Sequence, residues 1–145
     1  MGASTERDPA WVSAILGWRG TVLAARIALT SAYLQGALAK LLDFPGTVAE
    51  QEHFGLHPGV VWAALCILVE LGGSALVITG RLVWLGAGAL GVLTAVATCV
   101  AEDFWAKAGH ERAMALNGFF EHLGLIASFI LVAAIAASER RRRDF

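Results

Sequence analysis

Three ionisable residues stand where an apolar helix would have only hydrocarbon: Arg26, Glu70 and Glu121. Each lies in a stretch built mostly of Ala, Leu, Val, Ile, Gly and other apolar residues. A charge at bilayer depth costs several kcal/mol or more, so such residues turn inward, pair, and often mark function. A carboxyl group in low dielectric also gains a raised pKa and can exchange protons near neutral pH. Such a group beside a cation supplies the acceptors and donors that a quinone oxygen needs. The same pair can also act only as a structural device that fixes helix register. The residue types leave both readings open.

The elements that must position these groups are spanning helices. Of 145 residues, 57% are hydrophobic and 16% are charged, a balance outside the soluble range. Spans of about 20 residues are predicted at 20–42, 59–79, 82–101 and 115–137. The expected fold is all-α, an integral membrane four-helix bundle forming one domain over 1–145. Gly80 and Arg81 alone separate the second and third spans, which predicts a tight antiparallel hairpin. The stretches 43–58 and 102–114 read as loops. Asp8 and Pro9 look like an N-cap and a first helical residue. Trp11 and Trp18 then suit an N-terminal helix at the membrane interface within 1–19.

Basic residues set the orientation. Arg7, Arg19, Arg81 and the arginines at 140–143 fall on one side, and Lys40, Lys107 and Arg112 on the other. The excess places both termini of this multi-pass protein in the cytoplasm. The basic tail at 138–145 reads as a topology anchor, with anionic-lipid docking as the lesser reading. The start has neither a basic n-region nor an early apolar run, so no signal peptide is expected. Glu6 occupies the position that a myristoylation signal needs for Ser or Thr. The net charge of −1 gives no sign of a nucleic-acid partner.

Stepping by three and four residues lines up polar stripes. The first span carries Arg26, Thr30, Tyr33, Ala37 and Lys40, and the second Ala63, Cys66, Glu70, Gly73 and Ser74. The third carries Gly91, Thr94, Thr98 and Glu102, and the fourth Asn117, Glu121, Gly124 and Ser128. Four such faces are expected to point at one another. Depth at about 1.5 Å per residue predicts an inner layer pairing Arg26 with Glu70. An outer layer is predicted from Glu121 with Gln35, Lys40 and His122. The small-residue rows Ala24, Ala28, Ala32, Gly36 and Ala87, Gly91, Ala95, Cys99 are expected to bring helices close. Cys99 then reads as packing rather than as a redox thiol. His53 and His57 have the i, i+4 spacing of two metal ligands, but they precede Pro58 in a loop, and no metal is expected.

The pieces LQGALAKLLDFPG, LVELGGSALVITGR, the FW pair, and FFEHLGLIASFILV resemble the DoxX family of small four-helix membrane proteins. The most specific are Gly36–Lys40–Leu41–Asp43–Phe44 and the Glu70 to Gly80 pattern. The resemblance covers roughly residues 20–137. It implies a four-helix bundle in a bacterial or archaeal inner membrane. It also implies likeness to subunits of terminal quinol oxidase and thiosulfate:quinone oxidoreductase systems, and to complexes of thiol and radical detoxification. Arg26, Lys40, Asp43 and Glu70 match the family pattern. Two positions depart from it. Glu102 stands where members often have His before the FW position, and Glu121–His122 where they tend to have Lys–Asn.

Three functions follow as expectations. The first is a subunit of a quinone-linked or thiol-linked redox system, its pocket lined by Arg26, Glu70 and Glu121 and joined by Tyr33, Gln35, Lys40, Asn117 and His122. No haem pair, flavin motif or iron–sulfur cysteine set is present in the sequence, so quinone is the expected ligand and other membrane subunits the expected partners. The second is a non-catalytic accessory subunit of a larger membrane complex. The third is a small-molecule or ion carrier, disfavoured because no span is visibly broken.

Overall fold

The computed structural model describes residues 8–101 and 103–143. The residues of the start read for targeting, with Glu6 and Arg7, lie outside them, as does Glu102. The chain opens with α1 (Ala10–Gly17) and α2 (Arg19–Leu42). Trp18 separates them: its backbone is extended, and its amide bonds the Ile15 carbonyl instead of continuing a helix. The Trp18 ring folds over Gly20, where a Cβ would come within 2.6 Å of it.

The stretch expected to be a loop after α2 contains a helix, α3 (Phe44–His53). Asp43 caps it by accepting a hydrogen bond from the Gly46 amide at 3.0 Å, and Pro45 stands in the first turn. An Asp ahead of a Pro also suggests a cap at Asp8–Pro9, but there Pro9 itself stands at the N-cap of α1 and no side chain caps the helix, whereas at Asp43 the cap forms. It was missed here because α3 has no apolar periodicity. Only Thr47 and Gln51 are buried along it. α3 folds back on the start of α4, where Gly59 permits the approach: a Cβ there would lie 2.6 Å from the Val48 carbonyl oxygen.

α4 (Gly59–Thr79) and α5 (Val83–Ala101) form the expected hairpin. Gly80 ends α4 at φ 74°, the left-handed conformation that glycine adopts without strain. The helices cross at Gly73 and Gly86, where backbones touch: a Cβ on Gly86 would lie 2.7 Å from the Gly73 carbonyl oxygen. This crossing, and not the predicted small-residue rows, is where backbones meet. Ala24, Ala28, Ala32, Ala95 and Cys99 are exposed, so the first row turns outward except at the half-buried Gly36, and the second is split, with Ala87 buried in the core. Cys99 is therefore not a packing residue of the interior.

α6 (Gly109–Arg143) runs 35 residues. It is about 50 Å long and outreaches a hydrocarbon core of about 30 Å. Edge-to-face contacts of Phe104 with Trp105 and with Phe119 tie the preceding loop to it. α2 packs on α4, α4 on α5, and α5 on α6. Side chains close the bundle, chiefly Tyr33 edge-on to Phe129 at 5.5 Å between centroids. Val77, Ala87, Leu90 and Phe129 form the core, with Leu29, Leu125 and Val132 packed against it.

Among the described residues four helices, α2, α4, α5 and α6, are long and apolar enough to cross a membrane. Leu38, Leu68, Val92 and Ile130 are among the large apolar side chains on their outer surfaces, as lipid contact favours. Because the helices alternate in direction, the start of α2, the α4–α5 turn and the end of α6 share one end. We call it the arginine end, after Arg19, Arg81 and residues 140–142. The opposite end, with α3 and the α5–α6 connection, is the loop end.

Candidate functional site

The polar stripe on α2 is real, and it faces inward. Thr30 and Ala37 are fully buried, while Arg26, Tyr33 and Lys40 are half-buried. What it reaches differs from the expected layers. Lys40 Nζ donates to Glu70 Oε1 at 2.8 Å. Glu70 therefore pairs with Lys40 and not with Arg26. The physical reason lies in helix direction and side-chain reach. Arg26 extends toward the arginine end, where its Nη1 lies 2.7 Å from the position a Cβ on Gly80 would occupy. Lys40 approaches Glu70 from the loop end, and Gly36 leaves the room: a Cβ there would sit 3.4 Å from Lys40 Nζ and 3.7 Å from Glu70 Oε1.

Glu70 is only 7% exposed. Its second oxygen, Oε2, is buried without a hydrogen-bond partner among the described residues, as is the Ser74 hydroxyl one turn away. A buried carboxylate oxygen left without a donor costs about 1–3 kcal/mol or more, so it is a position where an additional donor gains affinity. The pair lines an open groove of about 740 Å³ that runs between α4 and α5. Glu50 and Gln51 of α3 and Phe54 just after it line the loop-end head of this groove, and Cys66 lines it one turn from Glu70. Along α5 the wall runs from Trp84 to Ala101, about 25 Å of helix. It is nearly all apolar below the head.

A second polar string joins α2, α5 and α6. Thr94 Oγ1 donates to the Leu90 carbonyl at 2.7 Å, which uses its one proton, so the Tyr33 hydroxyl must donate to Thr94. Thr98 Oγ1 likewise donates to the Thr94 carbonyl at 2.6 Å. His122 Nδ1, 2.9 Å from Thr98 Oγ1, must then carry a proton and donate. In the neutral ring this leaves the lone pair on Nε2. Tyr33 and His122 are candidate site residues on the sequence alone, while Thr94 and Thr98 stand in its polar stripe with no role predicted.

The predicted outer layer is not formed. Glu121, Gln35 and Asn117 are exposed, Lys40 is engaged by Glu70, and His122 is held by Thr98. On α6 the inward stripe runs through Ala115, His122, Phe129 and Ala136, about 100° around the helix from Glu121. The α6 polar face was thus assigned to the wrong side. Asp43 acts as the α3 cap. His53 and His57 are both exposed. Among the described residues no group of three or more His, Cys, Asp or Glu side chains could hold a metal.

The DoxX family profile matches residues 21–103, more than half of the chain. The chain belongs to the DoxX family. No curated protein and no solved structure matches it. The matched region of this DoxX protein contains α2 through α5, and with them Lys40, Glu70, Cys66 and the groove. α6, with Glu121 and His122, lies beyond it.

Proposed function

We propose that this multi-pass DoxX-family membrane protein is a subunit of a quinone-linked redox system, with the Lys40–Glu70 pair holding the quinone head group. The carrying observation is a buried carboxylate with one oxygen on Lys40 and the other unpartnered, in the wall of a largely apolar groove. The ammonium has further protons to donate to a quinone carbonyl, and Glu70 Oε2 can accept from a quinol hydroxyl. The pair is neutral overall, which favours a neutral head group over an anionic one. A groove lined by about 25 Å of α5 suits an isoprenoid tail. The chain's own part is to bind and orient the ring and to take or give a proton at Glu70. Electrons would pass to a partner subunit. By the positive-inside rule, the arginine end faces the cytoplasm of an inner membrane, which places the quinone head toward the opposite leaflet.

Purification in mild detergent followed by solvent extraction tests this reading. Wild-type protein should retain isoprenoid quinone. Glu70→Gln should lower the retention, and so should Gly88→Phe, which fills the groove without touching the charge pair. Absence of quinone from wild type, with unaltered electron flow in membranes lacking the protein, removes the reading.

A second reading, an accessory subunit of a larger membrane complex, is favoured by a different observation. Gln35 and Glu121 point outward within apolar helices, where a partner helix would meet them better than lipid does. Copurified subunits would support it; a chain that runs alone in gentle detergent counts against it.

A further inference from the structure

We propose that the corner formed by Arg19, Arg26 and Arg81 at the arginine end holds the head group of an anionic phospholipid. Arg19 and Arg26 are seven residues apart on α2, two helical turns, so they lie on one face. The half-buried Arg26 reaches across to the end of α4, its Nη1 against Gly80, and Arg81 is the next residue in the turn. The Arg26 guanidinium therefore lies beside the turn that carries Arg81, with Arg19 two turns nearer the same end of α2. The ion pairs among the described residues, Lys40–Glu70 and Lys107–Asp103, leave all three without a carboxylate. The α4 C-terminus offers only about half an elementary charge, so the corner stays strongly positive at the edge of the apolar belt. Such a charge is relieved by a phosphate at the membrane surface, which guanidinium groups grip through paired hydrogen bonds. Leu23, Ile27 and Leu82, neighbours of these arginines in sequence, are exposed and would lie against the acyl chains. That apolar surround points to a phospholipid rather than a free anion. The site shares no residue with the α4–α5 groove and stands or falls apart from the quinone reading.

Native mass spectrometry of the full chain, released from nanodiscs containing equal phosphatidylglycerol and phosphatidylcholine, tests it. Wild type should retain phosphatidylglycerol about tenfold over phosphatidylcholine, and Arg26→Gln and Arg81→Gln should each cut that preference by about fivefold. Arg81 is exposed, so its variant remains informative should Arg26→Gln fold poorly. Glutamines at 140–142 together should leave the preference intact. Three results would overturn the proposal: equal retention of the two lipids by wild type, a preference abolished only by the 140–142 change, or displacement of the lipid by millimolar inorganic phosphate.

Discussion

The two ends of this bundle handle buried charge in opposite ways. At the loop end Lys40 and Glu70 meet at 2.8 Å, with one carboxylate oxygen to spare. At the arginine end no carboxylate among the described residues pairs with Arg26, whose Nη1 lies beside Gly80. A long side chain near a helix end can snorkel and needs no partner inside the protein. A short carboxylate one residue from the middle of α4 cannot, so it must be met where it stands. The difference teaches that a charge read inside an apolar span carries two possible debts, and reach decides which applies.

The largest expected effect tests the loop end. Lys40→Met strands Glu70 and should destabilise by about 3–5 kcal/mol, read as a lowered unfolding temperature in detergent. Lys40→Met with Glu70→Gln should recover much of that loss. A single variant as stable as wild type would break the comparison. Next comes the crossing that sets the spacing of α4 and α5. Gly86→Val drives a side chain into the Gly73 carbonyl oxygen and should cost about 1–3 kcal/mol in the same unfolding measurement. Smaller still, Arg26→Met in lipid-free detergent should cost less than about 1 kcal/mol, the value of a cation at a helix C-terminus. A loss as large as that of Lys40→Met would mean that Arg26 has a buried partner.

Glu121→Gln should change stability by no more than about 0.5 kcal/mol, because the side chain is exposed. The smallest effect belongs to the α5–α6 connection. A hydrogen bond from Lys107 holds the Asp103 carboxyl below its usual range. A carboxyl lowered in the folded state contributes stability above its unfolded pKa and loses it as pH falls through the folded value. Loop ordering, followed by amide exchange near residue 103, should therefore weaken on acidification in wild type and lose that dependence in Asp103→Asn.

Much of the architecture was legible because lipid imposes a length and a composition on anything that crosses it. The α4 boundaries at 59 and 79 and the turn at Gly80 agree with the sequence reading. The α2 stripe was also found correctly, since helical periodicity fixes which residues share a face. α3 was not, because its ten residues lack an apolar period and only the Asp43–Pro45 start betrayed it. The pairing of Glu70 failed for a different reason. Depth counted along single helices ignores the direction in which Arg and Lys extend.

Sequence alone determined that four helices are apolar enough to span a membrane, which end gathers arginine, and which residues of α2 look inward. These follow from solvent preference and from a period of 3.6, both local properties of the chain. Only the tertiary structure decided that Lys40 answers Glu70, that α6 turns His122 inward and Glu121 out, and that Gly73 and Gly86 set the crossing beside the groove. Each of those depends on how one helix is rotated and shifted against its neighbour. That rotation is chosen by the joint packing of all the side chains at the contact, and no single stretch of sequence contains it.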